Sequence, residues 1–103
     1  MARMVVIYRP PPDTRAFDSH YFEVHVPLAK RLPGLRKYEV SKGSIFPMNA
    51  AQQSYLIAIL QFDDVASIRA AFASEIGRAC AADRKILAPD DAVQTFLFED
   101  QEL

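Results

Sequence analysis

The sequence has one cysteine, three glycines and no excess of either charge, and each shortage removes a class of explanation. With Cys80 alone no intrachain disulfide can form, and a lone thiol sits most easily in a reducing cytoplasm. So few glycines leave neither a Gly-x-Gly-x-x-Gly turn nor a phosphate loop, which argues against a self-contained nicotinamide or nucleotide enzyme. Twelve Lys and Arg balance 13 Asp and Glu, so there is no polybasic footprint and no nucleic-acid partner is expected. The longest apolar run, Tyr55 to Leu60, is far too short to cross a bilayer. No apolar h-region follows Met-Ala-Arg-Met, so the expected location is the cytoplasm, without a membrane partner.

What is present is a chain of 103 residues, half of them hydrophobic, which is the size of one domain over residues 1–103. Surface scaling gives it roughly 5,800 Å² of folded surface. Met4 to Tyr8 reads as a first strand and stops at Pro10-Pro11-Pro12, which cannot continue a ladder. Asp13 offers an N-cap for a helix from about Thr14, with Phe17, Tyr21, Val24 and Leu28 on its core-facing stripe. Pro27 removes one i→i−4 bond and should bend this helix just after His25, and Pro33-Gly34 ends it. Leu35 to Gly43 reads as strand two, with Tyr38 and Val40 on one face. A long polar loop over 44–53 carries Ile45, Phe46 and Met48. Tyr55 to Phe62 is strand three, and Asp63-Asp64 caps a helix with Val65, Ile68 and Phe72 on one face. Ser74 starts a further turn or short helix bearing Ile76, Ala79, Cys80 and Asp83. Pro89-Asp90-Asp91 is a turn, and Ala92 to Phe98 is strand four.

The expected class is therefore α+β, with the β-α-β-β-α-β order of a ferredoxin-like domain and a four-stranded antiparallel sheet. Two helices cover only one face of such a sheet. Strand three is apolar on both faces, since Leu56, Ala58 and Leu60 alternate with Tyr55, Ile57 and Ile59. Strands one and four repeat the pattern. The uncovered face is an apolar patch of a kind that soluble monomers rarely carry, and a second copy, sheet on sheet, is the economical cover. A homodimer is expected.

With these elements in place, the stretch from Phe17 to Leu28 (F-D-S-H-Y-F-E-V-H-V-P-L), the Pro33-Gly34-Leu35 turn and Tyr38 on the next strand resemble the EthD family. Tyr8-Arg9-Pro10, the Phe62-Asp63 turn and the Ser74-x-x-Gly77 step extend the likeness over nearly the whole chain. The resemblance implies two ferredoxin-like sheets forming a dimeric α/β barrel, with a pocket between helices and sheet in each subunit. The family is named for ethyl tert-butyl ether degradation, and its members are often labelled reductases without an identified cofactor. The wider dimeric α/β barrel group includes cofactor-free isomerases, cyclases and oxygenases, so the fold does not name one chemistry.

His25 is the first candidate for chemistry. Relative to Phe17 it lies about 80° round a helix of about 100° per residue, at the border of the apolar stripe. There an imidazole can act as a base at neutral pH or simply close the helix–sheet seam. The family match adds weight to the catalytic role. Tyr38, which matches a family tyrosine, is its expected partner as a hydrogen-bond donor to an oxyanion. Tyr8, Arg9, Tyr21 and Phe46 are candidates for contact with substrate, Phe46 with Met48 as part of a lid over the mouth. Tyr21 has core packing as its competing role, and Arg9 an ordinary surface position. His20 and His25, five residues apart, are not spaced as a metal pair, and no metal or cofactor is expected. Cys80 reads as packing.

Two functions fit. One is cofactor-independent His/Tyr proton transfer on a small apolar carbonyl or aromatic catabolite, in a family labelled oxidoreductase-like. The alternative is a non-catalytic ligand-binding accessory to an oxygenase system. Haem binding is weaker, because neither histidine is placed as an axial ligand.

Overall fold

The computed structural model describes residues 1–103. The elements run β1 (Ala2–Tyr8), α1 (Thr14–His20), a π-helical turn (Tyr21–His25), α2 (Val26–Ala29), β2 (Lys37–Val40), β3 (Leu56–Phe62), α3 (Val65–Ala73), α4 (Glu75–Leu87), a 3₁₀ turn (Asp90–Ala92) and β4 (Val93–Glu99). The four strands form one sheet in the order β2-β3-β1-β4, every neighbouring pair antiparallel. All the helices lie on one face. This is the ferredoxin-like arrangement expected from the pattern. No helix is long and apolar enough to cross a membrane.

Local chemistry sets the helix starts. Asp13 accepts the Ala16 N–H at 3.0 Å, Asp64 accepts the Ser67 N–H at 2.7 Å and the Ser74 hydroxyl accepts the Gly77 N–H at 3.1 Å, so each of the three longer helices begins on a side-chain cap. α3 and α4 then meet almost backbone to backbone. A Cβ on Gly77 would lie 2.1 Å from the Ala71 carbonyl oxygen, so only glycine fits. Gly34 takes φ +79° after the turn that ends the first helix, a conformation that a side chain disfavours.

Three expectations need correction. Strand two is shorter than Leu35 to Gly43. At its far end the Ser41 hydroxyl takes the Ile57 N–H at 3.0 Å, a side chain replacing the next backbone partner in the ladder. The segment begun by Ser74 is a thirteen-residue helix, longer than the turn or short helix expected. The inward stripe of the first helix also differs. Val24 is 46 % exposed, while Phe17, Tyr21, His25 and Ala29 are buried. The cause is the π turn, in which the Val26 N–H reaches back to the Tyr21 carbonyl, five residues earlier. Such i→i+5 bonding puts more than four residues in a turn, which cancels the drift that a four-residue spacing has on an α-helix. The irregularity adjoins Pro27, which has no N–H to offer the Glu23 carbonyl, so the expected bend takes the form of a π turn.

The register sorts the sheet residues cleanly. On the helix-covered face Met4, Leu60 and Leu97 share a row, as do Val6, Ala58 and Thr95. On the open face the rows are Val5, Ile59 and Phe96, then Ile7, Ile57 and Gln94, with Phe98 beside Arg3. The chain exposes 6891 Å², about 1,000 Å² more than its mass predicts for a compact monomer. That excess is close to the roughly 800 Å² one partner buries in a standard interface.

Candidate active site

Between the sheet and the helices lies a cavity of about 230 Å³, walled mainly by apolar side chains such as Val6, Ala58, Leu60 and Phe72. Its polar lining comes from Tyr8, Tyr21, His25, Tyr38, Arg84 and Thr95. The most exposed lining residues are Ala81 and Lys85 on α4 and Thr95 on β4, so the cavity opens between that helix and the edge strand.

His25 is 8 % exposed and is held by a residue from the other half of the chain. Its Nδ1 lies 2.8 Å from Asp83 Oδ2, and His20 Nε2 lies 2.8 Å from Asp83 Oδ1. The carboxylate thus bridges two imidazoles, His25 inside and the more exposed His20 outside. Burial pushes the pKa of His25 below its ordinary value of 6.5. The Asp83 carboxylate acts the other way but does not overcome the desolvation. Burial alone would raise Asp83, yet hydrogen bonds from both histidines outweigh it and keep the carboxyl below its ordinary 3.8. At neutral pH the arrangement is an anionic Asp83 accepting Nδ1–H from a neutral His25. That tautomer leaves Nε2 bare, on a residue that lines the cavity, and no protein group occupies it.

Three phenols complete the lining. The hydroxyls of Tyr21 and Tyr38 are 2.6 Å apart. Tyr21 is the more deeply buried, so the arrangement that idles no buried donor has Tyr21 donate to Tyr38 and frees the Tyr38 hydrogen for the cavity. Tyr8 is 1 % exposed and its hydroxyl has no protein partner. Its ring meets Phe17 and Tyr21 edge-on at 5.2 and 5.8 Å, which fixes its direction. Burial raises the pKa of all three, more than the neighbouring Arg84 charge lowers Tyr8 or the hydrogen bond lowers Tyr38. They stay protonated donors at neutral pH.

Of the residues singled out in the sequence, His25, Tyr38, Tyr8 and Tyr21 meet in this cavity. Arg9 and Phe46 do not line it. Strand alternation sends Arg9 to the opposite side from Tyr8, where it is exposed. Phe46 is 84 % exposed on the loop after β2, whereas the cavity opens by β4 at the other edge of the sheet. Cys80 is buried in the wall, and burial raises its thiol pKa. Asp83 escaped sequence reasoning as a site residue. Its signal was there: Gly77, Cys80 and Asp83 fall at three-residue steps on one face of α4, and a carboxylate on a buried face needs a partner. Arg84 and Lys85 were not singled out in the sequence either.

A family model described as the EthD domain matches residues 9–91. The chain is 35 % identical over 102 residues to an uncharacterised 11.0 kDa protein encoded in the thcB–thcC intergenic region of Rhodococcus erythropolis, covering 99 % of this chain and 96 % of that one. Its fold is similar to the crystal structure of an EthD-family protein from Bacillus halodurans, with a TM-score of 0.87 and 31 % identity over 98 % of this chain and 99 % of the other. A dimeric ferredoxin-like protein of unknown function from Thermobifida fusca superposes with a TM-score of 0.67 at 17 % identity, covering 94 % and 88 % of the two chains. A cofactor-independent oxygenase from Streptomyces nogalater gives the same TM-score and identity over 99 % and 94 %. These last two likenesses show the fold alone.

Proposed function

The chain belongs to the EthD family, and from that premise we propose that it is a cofactor-independent enzyme acting on a small apolar carbonyl or aromatic compound. The observation that carries this reading is the tautomer set by Asp83, which presents the bare Nε2 of a buried, neutral histidine to an apolar cavity. A base in that setting works at neutral pH and meets a substrate stripped of water. His25 takes a proton from a carbon or hydroxyl of the substrate. The resulting enolate or phenolate oxygen accepts hydrogen bonds from Tyr38 and Tyr8, which remain protonated for that purpose. The imidazolium formed on His25 is stabilised by Asp83, with no net transfer of its Nδ1 proton. The proton then returns to the substrate at another atom, or exchanges with water through the opening by Lys85 and Thr95.

The working form is a homodimer. The open sheet face, with Val5, Ile7, Ile57, Ile59, Phe96 and Phe98, supports this, and structural neighbours that share the fold are dimeric. Each copy would close the other's apolar sheet and leave both cavities on the helix sides.

Hydrogen–deuterium exchange tests the chemistry. With 2-tetralone as an enolisable probe, the wild-type protein should accelerate deuterium entry beside the carbonyl, followed by proton NMR in deuterated buffer. His25→Ala should fold, dimerise and lose the acceleration. Binding of 2-tetralone with no acceleration by the wild type would remove the base from His25 and favour a ligand-binding accessory protein.

A further inference from the structure

We propose that the natural ligand of this cavity is an organic acid: a compact apolar body of one or two rings carrying a carboxylate that meets Lys85 at the opening. The inference rests on the reading of the cavity as a substrate site and adds the ligand's charge and orientation.

It follows from which charges line the cavity. Both permanently charged lining residues, Arg84 and Lys85, are cationic, and no Asp or Glu lines it. The nearest carboxylate, Asp83, has both oxygens engaged by His20 and His25. Arg84 is fixed in place, donating to the Ala88 carbonyl at 3.0 Å and paired with the exposed Asp90. Lys85 is different. None of the chain's ion pairs or His–Asp contacts includes it, so this exposed lining residue has no carboxylate within 4.0 Å of its ammonium. A lysine in the last turn of a helix is ordinary, since it complements the helix dipole. That role does not require it to line a cavity, which it does together with Thr95, whose hydroxyl has no protein partner either.

The two ends of the cavity therefore offer different things. The inner end, with His25 Nε2 and the Tyr8 and Tyr38 hydroxyls, suits a neutral carbonyl or hydroxyl group that becomes negative as it reacts. The outer end suits a group already negative when it binds. Cavities of about 150 Å³ hold benzene, so about 230 Å³ leaves room for a larger ring system lying between the ends. A cationic ligand would meet two like charges at the only charged part of its path.

Matched probes of one shape test this. Calorimetric titration of the wild type should find 2-naphthoate binding about two- to fivefold more tightly than 2-naphthamide, the gain expected of a charge-assisted contact at an exposed site. Lys85→Gln should remove most of that preference and leave the amide's affinity unchanged. The preference should also shrink as salt is raised. Equal binding of acid and amide, or a preference that survives in Lys85→Gln, overturns the inference while the cavity reading stands. If neither probe binds, both fall together.

Discussion

The two faces of the one sheet are written in different chemistry, although a single strand contributes to both. Along β3, Leu56, Ala58, Leu60 and Phe62 face the helices and are buried, while Ile57, Ile59 and Gln61 face outward and are half-buried. The covered face is apolar but encloses hydroxyls, an imidazole and a carboxylate, each hydrogen-bonded or turned into the cavity. The open face is mainly aliphatic and aromatic in its central rows, with Glu39 and Gln94 only on the edge strands. Polar groups can be buried where a helix layer brings them partners, as α4 brings Asp83 to His25. An apolar face without helices has only association to offer. On the proposed function chemistry belongs to one side and assembly to the other, and each can be broken separately.

The largest effect is expected on the open face. Ile59→Asp puts an unpaired carboxylate in the central row between Val5 and Glu39, and two-fold symmetry places it in the interface twice. An uncompensated buried charge costs about 3–5 kcal/mol, so dimerisation should weaken by more than about 10³-fold. Sedimentation velocity at micromolar concentration should then show an 11.6 kDa monomer. A variant that stays dimeric would move the interface elsewhere and leave the open face unexplained.

Next in size is the inner pair. Asp83→Asn keeps the shape but removes the charge that stabilises the imidazolium, and it turns one of the two acceptor oxygens into a donor, so the tautomer is no longer fixed. Tetralone exchange should fall by about 10²-fold or more. Dimerisation should not change. Because Asp83 raises the pKa of His25 against desolvation, its loss should also move the acid limb of the rate profile lower still. A limb that stays in place would mean that His25 is not the titrating base. Tyr38→Phe is expected to do less, about a tenfold loss, because the Tyr8 hydroxyl still faces the oxyanion. If Tyr38→Phe is silent while Tyr8→Phe is not, the donors exchange roles and Tyr38 serves only to satisfy Tyr21.

Much of this was legible in the sequence because alternation and capping are local. Asp13, Asp64 and Ser74 declare the helix starts, and β3 declares both faces. The meeting of His25, Tyr38 and Tyr8 followed from strand parity and the family likeness together. What could not be read depended on long-range geometry. The carboxylate that holds His25 lies 58 residues away. The π turn that brings His25 fully inside has no signature in periodicity, which assumes the very spacing it breaks. Arg9 and Phe46 were misplaced for a related reason: adjacency to a strand end or a long loop says nothing about which edge of the sheet the cavity opens on.

The smallest expected effect contrasts the faces through pH. His25 has a folded-state pKa below 6.5, so between 6.5 and that lower value the unfolded chain binds a proton that the native state refuses. Stability therefore falls as pH drops below 6.5 and is recovered above it, with a slope of at most about 1.36 kcal/mol per pH unit for one group. Asp83 acts in a separate window. Its pKa is held below 3.8, so its contribution is present above 3.8 and is lost only as pH falls through the folded value. Urea unfolding from pH 7.5 to 5 should show the first slope in the wild type and a flatter profile in His25→Gln. The open face carries no histidine, so the dimer's dissociation constant should change little across this range. A dimer that loosens in step with the unfolding slope would couple the two faces through the sheet, and the separation of chemistry from assembly would fail.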